Sequence, residues 1–167
     1  MSQRVRVLIA IVILIALVGA VLGIEALRRL LSPAAPSGDV TLSPGDTPIY
    51  LDEQLVAGFG PVDLDQLKTV SFVDDEKGKL QQGWLLCDVL LLHMEADVLI
   101  PDYSIVVSSS SEGTSAQLTW AEVNDEANMV MLSLTNRGTL KLVSLLEVLD
   151  TRDEWVVDAD KIEIFSQ

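Results

Sequence analysis

The chain has 167 residues, 49% of them hydrophobic, with one cysteine and a formal net charge of −14 at pH 7. This length allows one domain of ordinary size and an appendage, and a lone cysteine excludes an internal disulfide. From Asp39 onward, 24 acidic and 7 basic side chains give a formal charge of −17, which disfavours nucleic acid, polyphosphate and anionic lipid headgroups as partners.

An apolar segment lies near the N-terminus. Residues 7–24 are 18 consecutive uncharged residues, which span roughly 27 Å as a helix and nearly cross the hydrocarbon layer of a membrane. We therefore predict that residues 1–31 form a short tail and a transmembrane anchor. A cleaved signal peptide is the rival interpretation, but its apolar region is usually shorter and ends at a small-residue cleavage site.

The orientation of this segment follows from its position. Two arginines precede it and two follow it, so the positive-inside rule is nearly balanced. A short tail before the first apolar segment is typical of a signal anchor, which predicts a single-pass cell-membrane protein with its C-terminal domain outside the cytoplasm. Gly19 and Gly23 form a G-x-x-x-G, a spacing that can support weak self-association or have no role.

A change in composition separates a linker from the domain. Residues 32–46 contain three prolines and two glycines and predict a flexible linker. Short β-branched runs separated by turn residues begin at Thr47 and indicate strands. These runs are residues 47–51, 68–74, 103–109, 115–119, 128–134, 140–144 and 155–165. Residues 47–167 are therefore predicted to form one acidic, strand-rich α+β domain.

Three short helices are predicted between these strands. Asp63 is a candidate N-cap with Gln66 three residues later, and Thr119 forms a better capping box with Glu122. The third helix runs from Trp84 to about Met94. It is apolar on most faces, so we predict that it is buried.

This third helix holds the only cysteine, Cys87, and the only histidine, His93. Six residues of α-helix place the two side chains about 120° apart around the axis and about 9 Å apart along it. They can therefore neither chelate one metal ion nor form a nucleophile–base pair. We predict that both are packing residues and that the chain has no catalytic residue.

Two acidic clusters lack the spacing of a calcium-binding loop. Residues 74–76 are predicted to form a solvated turn, and Asp158 and Asp160 to alternate along the solvent face of one strand. The sequence contains neither a G-x-S-x-G elbow nor a phosphate-binding loop. We therefore predict no metal site and no bound cofactor.

Between residues 62 and 165 the order of motifs resembles the small sulfite-oxidase-like, molybdopterin-binding oxidoreductase domain. VDLDQLKTVSFVD resembles that family's short helix and the strand presenting the cofactor, and KLQQGWLLCDVLL resembles its glycine-led helix. YSIVVSSSSEGTSAQLTWAEV resembles the following strand, turn, strand and capped helix. NRGTLKLVSLL and EWVVDADKIEI resemble a turn with its strand and the closing strand. The resemblance implies an α+β fold and a pterin site.

In catalytic members of that family, a cysteine shortly after the first of these strands ligates molybdenum, and the matching residues here are Val73, Asp74 and Asp75. The resemblance therefore implies the fold without the metal ligand. We expect a membrane-anchored, non-catalytic binding or scaffold module with a protein partner and no nucleic acid. Two alternatives remain open: a pterin-binding oxidoreductase subunit and an acidic, calcium-dependent adhesion domain.

Overall fold

The computed structural model describes residues 40–166, in which ten strands form two five-stranded sheets. The first sheet has the spatial order β2 (Gln54–Phe59), β1 (Thr47–Leu51), β10 (Lys161–Phe165), β5 (Ser104–Ser109) and β6 (Thr114–Thr119). The second has the order β3 (Thr69–Val73), β4 (Leu80–Leu85), β7 (Met131–Leu134), β8 (Leu140–Val143) and β9 (Val156–Ala159). β1 and β10 pair in parallel, and the other neighbours are antiparallel.

Three short α-helices connect these strands: α1 (Pro61–Leu64), α2 (Leu86–His93) and α3 (Trp120–Asn124). A 3-10 turn at Glu126–Asn128 follows α3. The predicted fold class, a strand-rich α+β domain with three short helices, is confirmed for the described residues. Among residues 40–166 no helix is long and apolar enough to cross a membrane, and the predicted anchor at residues 7–24 lies outside the described range.

The main apolar core is shared by both sheets and all three helices. Ile49 and Ile105 of the first sheet, Leu132 and Leu142 of the second, and Leu90 of α2 are all at most 1% exposed. A second, smaller cluster contains Met131, Val143 and Trp155. Because neighbouring residues of a strand point to opposite faces, this second cluster lies on the face of the second sheet that is turned away from the main core.

The sequence did not predict β2, which follows β1 through a two-residue turn. Asp52 and Glu53 both have positive φ angles, 46° and 68°, as a type I′ hairpin requires. This turn usually contains Asn-Gly or Asp-Gly, so Asp-Glu gave no turn signal. Asp52 is held by Ser166, whose backbone N–H and Oγ donate to its carboxylate at 2.9 and 2.7 Å.

β4 was also not predicted, because two of its three buried positions are not occupied by large apolar residues. Gln81 and Gly83 are buried, whereas Leu80 is 64% exposed, so the usual alternation of apolar and polar residues is reversed. The prediction that a helix starts at Trp84 is therefore wrong: Trp84 belongs to β4, and α2 begins at Leu86.

The last predicted strand, residues 155–165, is two strands in different sheets. Asp158 has a φ angle of 56°, and the chain passes from β9 to β10 at Asp160, whose backbone N–H donates to Ser108 O at 2.9 Å. The apolar positions change phase at this crossing, from Val157 and Ala159 to Ile162 and Ile164, so the prediction of one continuous strand is wrong.

The two helix starts have different outcomes. The Thr119 box is confirmed, because Glu122 N–H donates to Thr119 Oγ1 at 3.2 Å and Thr119 N–H donates to Glu122 Oε2 at 2.7 Å. Asp63 is not an N-cap but the third residue of α1. Its carboxylate accepts the backbone N–H of Gly60, the actual N-cap, at 2.9 Å.

Candidate functional site

A groove of about 850 Å³ lies on the second sheet. It is lined by four of the seven basic side chains that follow Asp39, together with a buried glutamine and a buried tryptophan. Of the carboxylates in the described range, only that of Asp153 is in its lining. The six residues that we call the basic groove are Lys77, Lys79, Gln81, Lys141, Arg152 and Trp155.

The strand register builds the floor of the groove. Gly83 pairs with Ser133, and Ser133 pairs with Lys141, so these residues form one row on the face of the second sheet away from the main core. Gln81 lies on the same face, two residues before Gly83. The other cations come from the β3–β4 turn and from the segment that precedes β9, so the groove is assembled from distant parts of the chain.

Lys141 is the central cation of the groove. Its Nζ donates a 2.6 Å hydrogen bond to Gln81 Oε1 and lies 4.7 Å from the centroid of the Trp155 ring. Arg152 Cζ lies 5.4 Å from the same centroid. The Trp155 indole is fixed by its Nε1–H, which donates to Leu149 O at 3.0 Å. One buried aromatic ring therefore positions two cations through cation–π contacts.

These cations are compensated only in part by the surrounding residues. Burial lowers the pKa of Lys141, and the nearby charges of Arg152 and Lys79 lower it further, whereas Asp74 opposes them. Within residues 40–166, no carboxylate lies within 4.0 Å of the charged groups of Lys79, Lys141 or Arg152. Lys77 has only Glu76, at 3.8 Å. An anion entering the groove would relieve this repulsion.

The three remaining basic side chains of the described region lie elsewhere. Arg137 pairs with Asp158 at 2.7 Å, and Lys161 pairs with Glu163 at 2.9 Å. Lys68 is exposed in the segment before β3. The excess of positive charge is therefore local to the groove.

Asp74 corrects the prediction of a wholly solvated turn at residues 74–76. Asp75 and Glu76 are exposed, but Asp74 is only 2% exposed. Its carboxylate accepts the backbone N–H of Lys77 at 2.9 Å and the Nε2–H of Gln81 at 3.5 Å. Asp74 therefore holds the β3–β4 turn and braces the glutamine that contacts Lys141.

The prediction that Asp158 faces solvent is also wrong. Its side chain is 14% exposed and accepts a hydrogen bond from Arg137 Nη2 at 2.7 Å. Asp160 is exposed, as predicted, and accepts the backbone N–H of Ser110 at 3.1 Å. The left-handed backbone at Asp158 turns its carboxylate toward the β7–β8 turn, which strand alternation alone does not indicate.

Cys87 and His93 do not line the groove. Cys87 is 4% exposed, as predicted, and burial followed by the charge of Asp88 raises the pKa of its thiol. His93 lies beside Phe59, with ring centroids 6.4 Å apart. Its Nε2 is buried and has no hydrogen-bond partner among residues 40–166.

The groove fits only part of the cofactor that the family resemblance implies. Its cations suit a phosphate group, but the residues matching the metal ligand, Val73 to Asp75, contain no thiol. Cys87 belongs to the main core and cannot replace that ligand. Across residues 40–166, no three His, Cys, Asp or Glu side chains come together as a metal site. The residues present therefore do not fit a cysteine-ligated molybdenum centre.

The sequence matches no protein-family model and no curated protein. The basic groove itself was not predicted, because its cations are dispersed over two turns and one strand and form no local motif. The lysines that flank Gly78 are the one local signal in the sequence, and two lysines beside a turn do not by themselves indicate an anion site. What the groove binds therefore has to be inferred from its geometry and charge.

Proposed function

We propose that this chain is a membrane-anchored, non-catalytic binding module that holds a small anion in the basic groove, with its domain outside the cytoplasm. One observation carries the proposal: four of seven basic side chains meet in one groove of a region whose formal charge is −17. Like charges repel one another, so such a cluster lowers stability unless a ligand compensates it.

The groove favours a small anion over a large one. Its volume, about 850 Å³, lies within the usual range for small-molecule sites. A nucleic acid or a polyphosphate would extend beyond the groove onto an acidic surface, which would repel it. A phosphate ester, a sulfate ester or a small organic acid is small enough to lie among the four cations without reaching that acidic surface.

The arrangement of elements supports a sulfite-oxidase-like fold as part of this proposal. β5, the turn at Gly113, β6 and the capped α3 follow one another in the order that the resemblance implies. Trp155, which lies in the segment that resembles the family's closing strand, lines the groove. The missing metal ligand supports a binding role for the domain instead of an oxidoreductase role.

Calorimetric titration of the full-length chain with inorganic phosphate tests the anion site. We expect binding that Lys141→Gln/Arg152→Gln weakens at least about tenfold, since each charge-assisted hydrogen bond is worth roughly 1.5–3 kcal/mol. Lys68→Gln/Lys161→Gln is the matched control, because it removes the same charge outside the groove. Equal weakening of phosphate binding in both variants would mean that net charge alone controls the affinity, and it would reject the site.

Two further measurements test the rest of the proposal. Molybdenum, pterin and calcium analysis of protein purified from its own host distinguishes the binding module from the oxidoreductase and adhesion alternatives. Stoichiometric molybdenum with pterin would favour the oxidoreductase alternative. Bound calcium that raises the melting temperature would favour the adhesion alternative.

For the anchor, protease added to intact cells should digest the domain, and complete protection before lysis would reject the orientation.

A further inference from the structure

A second cavity, of about 470 Å³, lies beside the basic groove and shares Trp84 and Leu134 with it. Seven of its sixteen lining residues have apolar side chains: Phe59, Pro61, Leu64, Trp84, Leu134, Leu140 and Ala159. Four carboxylates also line it: Asp46, Asp65, Asp158 and Asp160. Of the basic side chains in the described range, none is in this lining, so the two neighbouring cavities have opposite charge.

The apolar and acidic groups occupy different depths of this cavity, which we call the acidic cavity. Phe59 and Leu64 are at most 4% exposed and form its inner wall. Asp65 and Asp160 are exposed, which places their carboxylates at the solvent side. A ligand here would bury an apolar body and keep a charged group close to the carboxylates.

Two of the four carboxylates have free hydrogen-bonding capacity. Asp46 Oδ2 accepts the backbone N–H of Ser43 at 2.8 Å, but its Oδ1 accepts no hydrogen bond from residues 40–166. A Cβ on Gly60 would lie 2.6 Å from this Oδ1, so the lack of a side chain there lets the carboxylate sit against the backbone. Asp65 likewise accepts no side-chain hydrogen bond within that range. The other two carboxylates are already engaged.

Trp84, which is half-buried and also lines this cavity, adds a second source of attraction for a positive charge. Aromatic faces attract ammonium groups, and substituted ammonium ions also gain from burying their apolar parts. The domain's negative charge raises the local concentration of cations. The apolar lining, the indole of Trp84 and the carboxylates together match one class of ligand.

We propose that the acidic cavity binds an organic cation, namely a substituted ammonium group on a small apolar body. This site is distinct from the basic groove, and its existence does not depend on the function proposed above.

Choline and its uncharged carbon isostere provide a direct test. The full-length chain is kept in a non-ionic detergent, because an ionic or zwitterionic detergent would compete for the cavity. Choline should shift the amide NMR signals of Gly45, Gly60 and Gly138 and the indole signal of Trp84 in a saturable way, because all four residues line the cavity. The isostere, which has the same shape without the charge, should shift them far less.

A pair of variants separates a local site from the general negative field. Asp46→Asn/Asp65→Asn removes two charges from the cavity and keeps side-chain acceptors, and we expect choline to bind at least about fivefold more weakly. Asp97→Asn/Asp102→Asn removes two exposed charges elsewhere and should leave the affinity within about twofold. Equal binding of choline and its isostere, equal loss in both variants, or no saturable shift would overturn the proposal.

The basic groove supplies the last control. Lys141→Gln should leave choline binding unchanged, because Lys141 does not line the acidic cavity. A loss of choline binding in this variant would mean that the two cavities are one site and would overturn the proposal of a separate cation site. Failure of phosphate binding with choline binding intact would reject only the anion site.

Discussion

Lys141 and Trp155 are in contact in the basic groove, with the lysine Nζ 4.7 Å from the centroid of the indole ring. The two residues come from different structural contexts, since Lys141 lies in β8 and Trp155 ends the irregular segment before β9. The contact holds a half-buried ammonium group beside Arg152. The properties of the groove should therefore depend on the charge of this lysine.

Anion binding should weaken as the pH rises toward the ordinary lysine range. The pKa of Lys141 lies below its usual value of 10.5, because burial, Arg152 and Lys79 disfavour the charged form and Asp74 offsets them only in part. A bound anion favours the charged form of Lys141. Anion binding at a pH near this lowered pKa should therefore be accompanied by proton uptake. Calorimetry in two buffers of different ionisation enthalpy measures that uptake.

Lys141→Arg is the matched control for this pH dependence, because arginine stays charged throughout this range. Its phosphate binding should lose the high-pH decline. The lowered pKa of Lys141 also affects stability, because between that pKa and 10.5 the unfolded state binds more protons than the folded state. Lys141 therefore makes the free energy of unfolding rise with pH in that window. Identical pH profiles for the lysine and arginine proteins would contradict the role given to Lys141.

Gly83→Ala should destabilise the second sheet. A Cβ at this position would lie 2.0 Å from Leu132 O, a backbone atom that cannot move away independently. We expect a loss of at least about 1–3 kcal/mol in the free energy of unfolding, as for an overpacked core. Denaturant unfolding measures it, and Gln82→Ala, at the exposed neighbouring position, is the control. A stable Gly83→Ala protein would show that β4 and β7 do not approach this closely.

Thr119→Ala should cost about 1 kcal/mol, because the N-cap of α3 loses its side-chain acceptor. The hydroxyl accepts the backbone N–H of Glu122 at 3.2 Å. Thr119→Ser keeps the acceptor and should retain most of the stability. If chemical denaturation gives the same loss for both variants, the cap does not contribute as described.

Cys87 should react slowly with a thiol reagent in the native protein at neutral pH. Cys87 is 4% exposed, and the raised pKa of its thiol keeps the thiol protonated at neutral pH. Cys87→Ala should cost on the order of 1 kcal/mol, whereas Leu90→Ala, which opens a larger cavity in the core, should cost about 2–5 kcal/mol. Rapid native labelling, or a lost activity in Cys87→Ala without lost stability, would show that this thiol has a chemical role.

Sequence patterns predicted elements whose signals are local. The Thr119 box, six of the seven predicted strand runs and the burial of Cys87 each depend on a few adjacent residues, and the structure contains all of them. β4 escaped prediction because Gln81 and Gly83 are buried for tertiary reasons: Gln81 contacts Lys141, and Gly83 permits a close approach to β7. Neither reason is encoded in neighbouring residues.

The basic groove escaped prediction for a related reason. The seven basic residues after Asp39 stand among 24 acidic ones and indicate an acidic domain with few cations. Their meeting at one place depends on the register of β4, β7 and β8 and on the path of the segment that carries Arg152 and Trp155. The net charge of a domain therefore excludes large anionic partners better than it excludes a small anion.

NMR mapping of phosphate binding on the full-length chain tests the central claim most directly. Added inorganic phosphate should produce saturable shifts at the Trp155 indole N–H and the Gln81 side-chain amide, and Lys141→Gln/Arg152→Gln should abolish them. Both reporters are in the basic groove, so their response locates the anion as well as detecting it. Unchanged signals at both positions, or equal shifts that persist in the variant, would contradict an anion site in this groove.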